Sequence, residues 1–145
     1  MADLAKQKDV FNKLKKTMDI NDITYAINGA AFEVNRILGS GFLEKVYENA
    51  LLIELRERGF NAESQVPVKV FYKNKVVGEY IIDILVDKKV IVELKTVEKF
   101  DNVHQAQLLN YLKASGIQVG LLINFKHPKV EIKRMVLELT EGHDI

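Results

Sequence analysis

Three ionisable residues, Asp83, Glu93 and Lys95, stand in a stretch from Glu79 to Lys95 that is otherwise aliphatic apart from its ends and the break at Asp87-Lys88-Lys89. If that break is a three-residue loop, Val86 pairs with Val90 and Asp83 falls directly opposite Glu93. Side chains alternate along a strand, so Asp83, Glu93 and Lys95 share one face with Ile81, Leu85 and Ile91. The other face reads Ile82, Ile84, Val86, Val90, Val92 and Leu94. Two carboxylates about 5 Å apart across a strand pair repel, and burying either one without a partner is costly. Lys95 offsets one of them. A divalent cation would offset both, and all-oxygen ligands suit Mg²⁺ or Mn²⁺. The same residues would also make a partly buried charge network, and another register would leave Asp83 at a surface edge.

The elements that position this hairpin are readable from periodicity. Asn21 or Asp22 is placed to cap a helix whose apolar positions are Ile23, Ala26, Ile27, Ala30, Ala31, Val34 and Leu38, ending at Gly39-Ser40-Gly41. A second helix places Leu43, Val46, Tyr47, Ala50 and Leu51 on its apolar side and ends near Gly59. From Gln65 the period becomes two, with Pro67 marking an edge strand, and Lys73-Asn74-Lys75 is a turn. Strands follow over 79–86 and 90–95. A helix runs from about Val103 to Ala114, with Asp101 or Asn102 as cap and Gly116 beyond it. Ile117 to Phe125 reads as a strand buried on both faces, and Val130 to Leu139 as a last strand or short helix. This order predicts an α/β fold: a mixed β-sheet flanked by helices on both sides.

The chain has 145 residues, enough for one domain with a sizeable core, and residues 21–145 are expected to form it. Residues 1–20 read as a Lys-rich leader without the apolar stretch of a signal peptide. Net charge is +1, so any nucleic-acid binding must come from cations gathered locally. Such cations stand in turns, at Lys73, Lys75, Lys88, Lys89, Lys126 and Lys129. The absence of cysteine excludes disulfides, thiolate zinc sites and cysteine nucleophiles and is compatible with a cytoplasmic location. No run approaches the ~18 apolar residues of a membrane span, so no membrane partner is expected.

Asp83 followed by Glu93-Leu94-Lys95 resembles the signature of the PD-(D/E)XK nuclease superfamily, with Ile82 in place of the proline. Gly41-Phe42-Leu43-Glu44-Lys45-Val46-Tyr47 resembles the G-x-x-E-x-x-Y motif of a family of small proteins within it, and the likeness extends over roughly residues 22–137. The resemblance implies a restriction-endonuclease-like core and a nuclease that hydrolyses phosphodiester bonds of DNA or RNA with Mg²⁺ or Mn²⁺. It assigns Glu44, Asp83 and Glu93 to the metal, with Lys95 beside them. Gln107 and Tyr111 are similar to a Q-x-x-x-Y element, and their spacing puts both on one helix face together with His104. Asn35 stands where relatives often carry histidine. Tyr47 reads as a core aromatic with a satisfied hydroxyl. Two alternatives keep the fold without the chemistry. One is a non-catalytic module binding nucleic acid or protein, and the other is an accessory subunit with a structural acidic cluster.

Overall fold

The structure, a computed structural model, describes residues 3–7 and 18–138. Most of the expected leader, 1–20, lies outside them, as does Leu139.

Helix α1, Ile20–Leu38, starts earlier than expected: Asp19 is its N-cap and accepts the Asp22 N–H at 2.8 Å. Asn21 and Asp22 lie in the first turn instead, because any of three neighbouring cap-type residues could start the helix and the earliest one does. Its apolar stripe is buried at Ile23, Ile27, Ala30, Ala31 and Val34. Helix α2, Glu44–Glu57, buries Tyr47, Glu48, Leu51 and Leu55, whereas Leu43 and Val46 face outward. The inward stripe is therefore rotated from the expected one, and it includes a carboxylate.

Five strands follow in the spatial order of their sequence: β1 Ala62–Tyr72, β2 Lys75–Val86, β3 Val90–Lys95, β4 Val119–Asn124 and β5 Glu131–Val136. Pro67 sits on the edge strand β1, where its missing N–H interrupts no second neighbour. Neighbouring strands are antiparallel except β3 and β4, which are parallel and joined by helix α3, Asn102–Ser115. Asp101 caps α3, and Gly116 ends it in the left-handed conformation at φ 75°. This is the mixed sheet with helices on both faces that the sequence predicts.

Two buried clusters sandwich the sheet. On one face Ile84, Val86, Val90, Val92 and Leu94 pack against residues of α1 and α2. On the other, Leu85, Ile91 and Leu122 pack against Leu108, Tyr111 and Leu112 of α3. Ile82 belongs to this second cluster, not to the face of Ile84 as strict alternation predicts. The ladder between β2 and β3 ends at Ile84–Val92, and Gln65, opposite Asp83 on β1, has φ 54°. The chain twists through Asp83 and the alternation restarts on the other side. Gly120 on β4 lets α3 approach closely, since a Cβ there would lie 2.8 Å from Leu108 Cδ1.

Candidate active site

The loop Asp87-Lys88-Lys89 sets the geometry of the acidic pair. Asp87 and Lys88 both adopt positive φ, the Lys89 N–H donates to the Val86 carbonyl, and Val86 pairs with Val90. The register therefore brings Asp83 opposite Glu93, but beyond Ile84 and Val92 the backbone ladder stops. Side chains continue it. The Asp83 N–H donates to Glu93 Oε1 at 2.9 Å, and the Leu94 N–H donates to Asp83 Oδ2 at 3.0 Å. Each acid is thus anchored to the opposite strand.

Burial and proximity leave these groups short of positive charge. Burial pushes the Glu93 carboxyl up to about 9, and the neighbouring Asp83 charge adds to the effect. Asp83 is also raised, first by burial, against the stabilising hydrogen bond from the Leu94 N–H. Glu44, at the first turn of α2, lies exposed as a residue, yet desolvation raises its carboxyl, with Lys95 acting against this and Asp83 adding to it. The Thr96 backbone acts to lower it, which sets the start of α2 beside the end of β3.

Lys95 extends toward α3, where its Nζ donates to Gln107 Oε1 at 3.3 Å. Gln107 Nε2 in turn donates to the Tyr111 hydroxyl at 3.0 Å. Burial raises the Tyr111 hydroxyl and the charges of Glu93 and Asp83 raise it further, which places it beside the acids. Glu44, Asp83, Glu93, Lys95, Gln107 and Tyr111, drawn from α2, β2, β3 and α3, therefore meet at the end of the β2–β3 ladder.

Other residues flagged by the sequence have structural positions. His104 Nδ1 accepts the Asp101 N–H at 3.2 Å as part of the α3 capping box. Asn35 Nδ2 donates to the Pro128 carbonyl at 2.8 Å. Tyr47 stacks on Phe125 at 4.6 Å, and its hydroxyl donates to the Gly39 carbonyl at 2.6 Å while accepting the Phe42 N–H at 3.2 Å. It fastens the Gly39–Phe42 loop and so fixes where α2, and Glu44 with it, begins.

Sequence reasoning missed Glu48. It is buried one turn after Glu44, bonded to Lys45 Nζ at 2.5 Å and to Gln65 Nε2 at 2.9 Å and 3.2 Å, and its charge bears on both Asp83 and Glu44. The signal was an acidic residue in the stripe that Leu51 and Leu55 continue, at i+3 and i+7. Gln65 carries no comparable mark.

Four carboxylates, Glu44, Glu48, Asp83 and Glu93, thus gather against Lys45 and Lys95. Among the described residues no group of three or more His, Cys, Asp or Glu is arranged as a finished metal cage. Oxygens of Asp83 and Glu93 are engaged by backbone amides instead. The chemistry of the donor set nevertheless fits a hard divalent cation: oxygen ligands alone, whose carboxyls are raised first by burial and whose like charges Lys95 offsets only in part.

Comparison with known proteins agrees with this fold. A sequence model of the PD-(D/E)XK nuclease superfamily matches residues 21–135. A crystal structure of the protein SSO0001 is similar in fold, with a TM-score of 0.53 at 21% identity, covering 68% of this chain and 52% of that one. The chain thus spans about half the length of that neighbour. No protein with a curated description matches. No helix among the described residues is long and apolar enough to cross a membrane.

Proposed function

Because the chain belongs to the PD-(D/E)XK nuclease superfamily, we propose that it is a metal-dependent nuclease that hydrolyses phosphodiester bonds of DNA or RNA. The observation that carries this reading is the meeting of Glu44, Asp83, Glu93 and Lys95 at the end of one broken ladder, with burial and like charge raising all three acids. Glu44, Asp83 and Glu93 would hold the cation, Mg²⁺ or Mn²⁺. Bound there, it would supply Lewis acidity toward a phosphate oxygen and a water of lowered pKa. Lys95, held by Gln107, offers an ammonium to the charge that develops on phosphorus. Tyr111 fixes Gln107 in turn. The motif from Gly41 to Tyr47 supports placing the chain in the G-x-x-E-x-x-Y family, and the lack of cysteine is compatible with a cytoplasmic setting.

A second reading, a binding module that retains the fold, is favoured by one feature: the acids bond to the opposing strands and form no ready cage. Calorimetry with Mn²⁺, followed by cleavage of labelled single- and double-stranded DNA and RNA, separates the two. The nuclease reading expects binding heat that Asp83→Ala abolishes and metal-dependent cleavage. An unchanged isotherm in Asp83→Ala would move the site elsewhere. Metal binding without cleavage of any substrate would select the binding module.

A further inference from the structure

Beyond its three pairs with β3, strand β2 continues outward with β1 as a two-stranded arm that ends at the Lys73-Asn74 turn. Between this arm and α3 lies a groove of about 470 Å³, lined by Lys69, Val70, Phe71, Tyr80, Asn110, Lys113 and Ala114. The register slips between Val70 and Phe71, so that Val77 has no partner on β1. Such a bulge re-aims neighbouring side chains, and here the consecutive residues Lys69, Val70 and Phe71 all line the groove.

The lining combines two chemistries. Phe71 is 62% exposed and Tyr80 37%, so both present ring surface to solvent. Lys69 and Lys113 flank them, and among the described residues neither is engaged in an ion pair. Glu79 stands opposite Lys69 in the ladder and lines the neighbouring depression, which Lys69 and Phe71 also border. Rings that accept a base face, beside cations that accept a phosphate, are the means by which proteins hold unpaired nucleotides. A duplex conceals its base faces and would leave both rings unused. An apolar protein partner would strand the two lysines.

The groove also leads to the acidic site. Tyr80 packs on Tyr111 with ring centroids 5.0 Å apart, and Tyr111 is joined through Gln107 to Lys95. We propose that this groove binds single-stranded nucleic acid on its way to the site, with bases stacked on Phe71 and Tyr80 and phosphates against Lys69 and Lys113. The proposal rests on the nuclease reading and narrows its substrate to single strands or frayed ends.

The chain contains no tryptophan, so Phe71→Trp introduces a single fluorescent reporter at the groove. In EDTA, where no cleavage occurs, oligo-dT or oligo-U should quench its emission and a matched duplex should not. Phe71→Ala combined with Tyr80→Ala should weaken single-strand binding at least about tenfold, with the fold checked by circular dichroism. Lys69→Ala combined with Lys113→Ala should reduce the slope of log affinity against log salt by ~1.4, two phosphates at ~0.7 each. Unquenched emission at saturating oligonucleotide, or duplex bound as tightly as single strand, would overturn the proposal. So would a dimer that Phe71→Ala dissolves while oligonucleotide binding stays unchanged, since the arm would then serve a second copy. If quenching occurs but wild type cleaves nothing with Mn²⁺, the groove stands and the nuclease reading falls. Cleavage with an unquenched reporter gives the converse.

Discussion

Replacing Glu93 by glutamine tests the electrostatic account of the site without any metal. Folding raises this carboxyl from its ordinary 4.5 to about 9. Below pH 4.5 both folded and unfolded chains keep the proton, and the group's contribution to stability is fully present. Above it the unfolded chain ionises while the folded chain does not, so stability falls by about 1.4 kcal/mol per pH unit until the folded group titrates. Between pH 5 and pH 7 the loss is about 3 kcal/mol, with Asp83 acting in the same direction at lower pH because it too is raised. Glutamine stands in for the protonated acid: it carries no charge, and its Oε1 still accepts the Asp83 N–H. Glu93→Gln should therefore match wild type near pH 5 and exceed it by about 3 kcal/mol at pH 7. Urea unfolding in EDTA across this range reads the difference. Parallel stability curves for the two proteins would refute the reasoning, because they would mean that Glu93 is not held protonated by its surroundings.

Leu94→Ala should cost ~2–5 kcal/mol because Leu94 is fully buried among the aliphatic residues facing α1 and α2. Lys95→Ala should leave the melting temperature nearly unchanged and abolish cleavage, reversing that order in the activity assay. Tyr47→Phe should lose about 1–3 kcal/mol, since the Gly39 carbonyl and the Phe42 N–H lose their shared partner, and thermal unfolding measures it. Gly120→Ala should destabilise by about 1–3 kcal/mol, because Leu108 is buried and has little room to yield to a Cβ at 2.8 Å. A neutral effect there would show that α3 shifts freely over β4.

The hairpin and its opposed acids were legible because a short polar break between two aliphatic runs determines the register, and one register opposes Asp83 to Glu93. Helix α3 was legible at both ends for a similar reason, since Asp101 and Gly116 are strong terminators. Ile82 departs from strict alternation because that rule assumes a regular strand, and nothing in the sequence announces the positive φ at Gln65 or the early end of the β2–β3 ladder. Helical spacing alone puts Leu43 and Val46 inward, but the stripe that packs runs through Tyr47, Leu51 and Leu55. Glu48 escaped notice because a buried carboxylate is recognisable only once its partners, Lys45 and Gln65, are in view.

Where the β2–β3 ladder gives way to side chains, the amides of Asp83 and Leu94 have titratable acceptors. Every other hydrogen bond between these strands ends on a peptide carbonyl, which does not change with pH or with ligand. These two do. Any event that turns either carboxyl away frees an amide proton and loosens the strands where they already part. The local opening of the sheet, and with it the hydrogen-exchange rate of two identifiable amides, is therefore coupled to the charge state of the site. The oxygens that hold this end of the hairpin together are the same ones that would receive a cation.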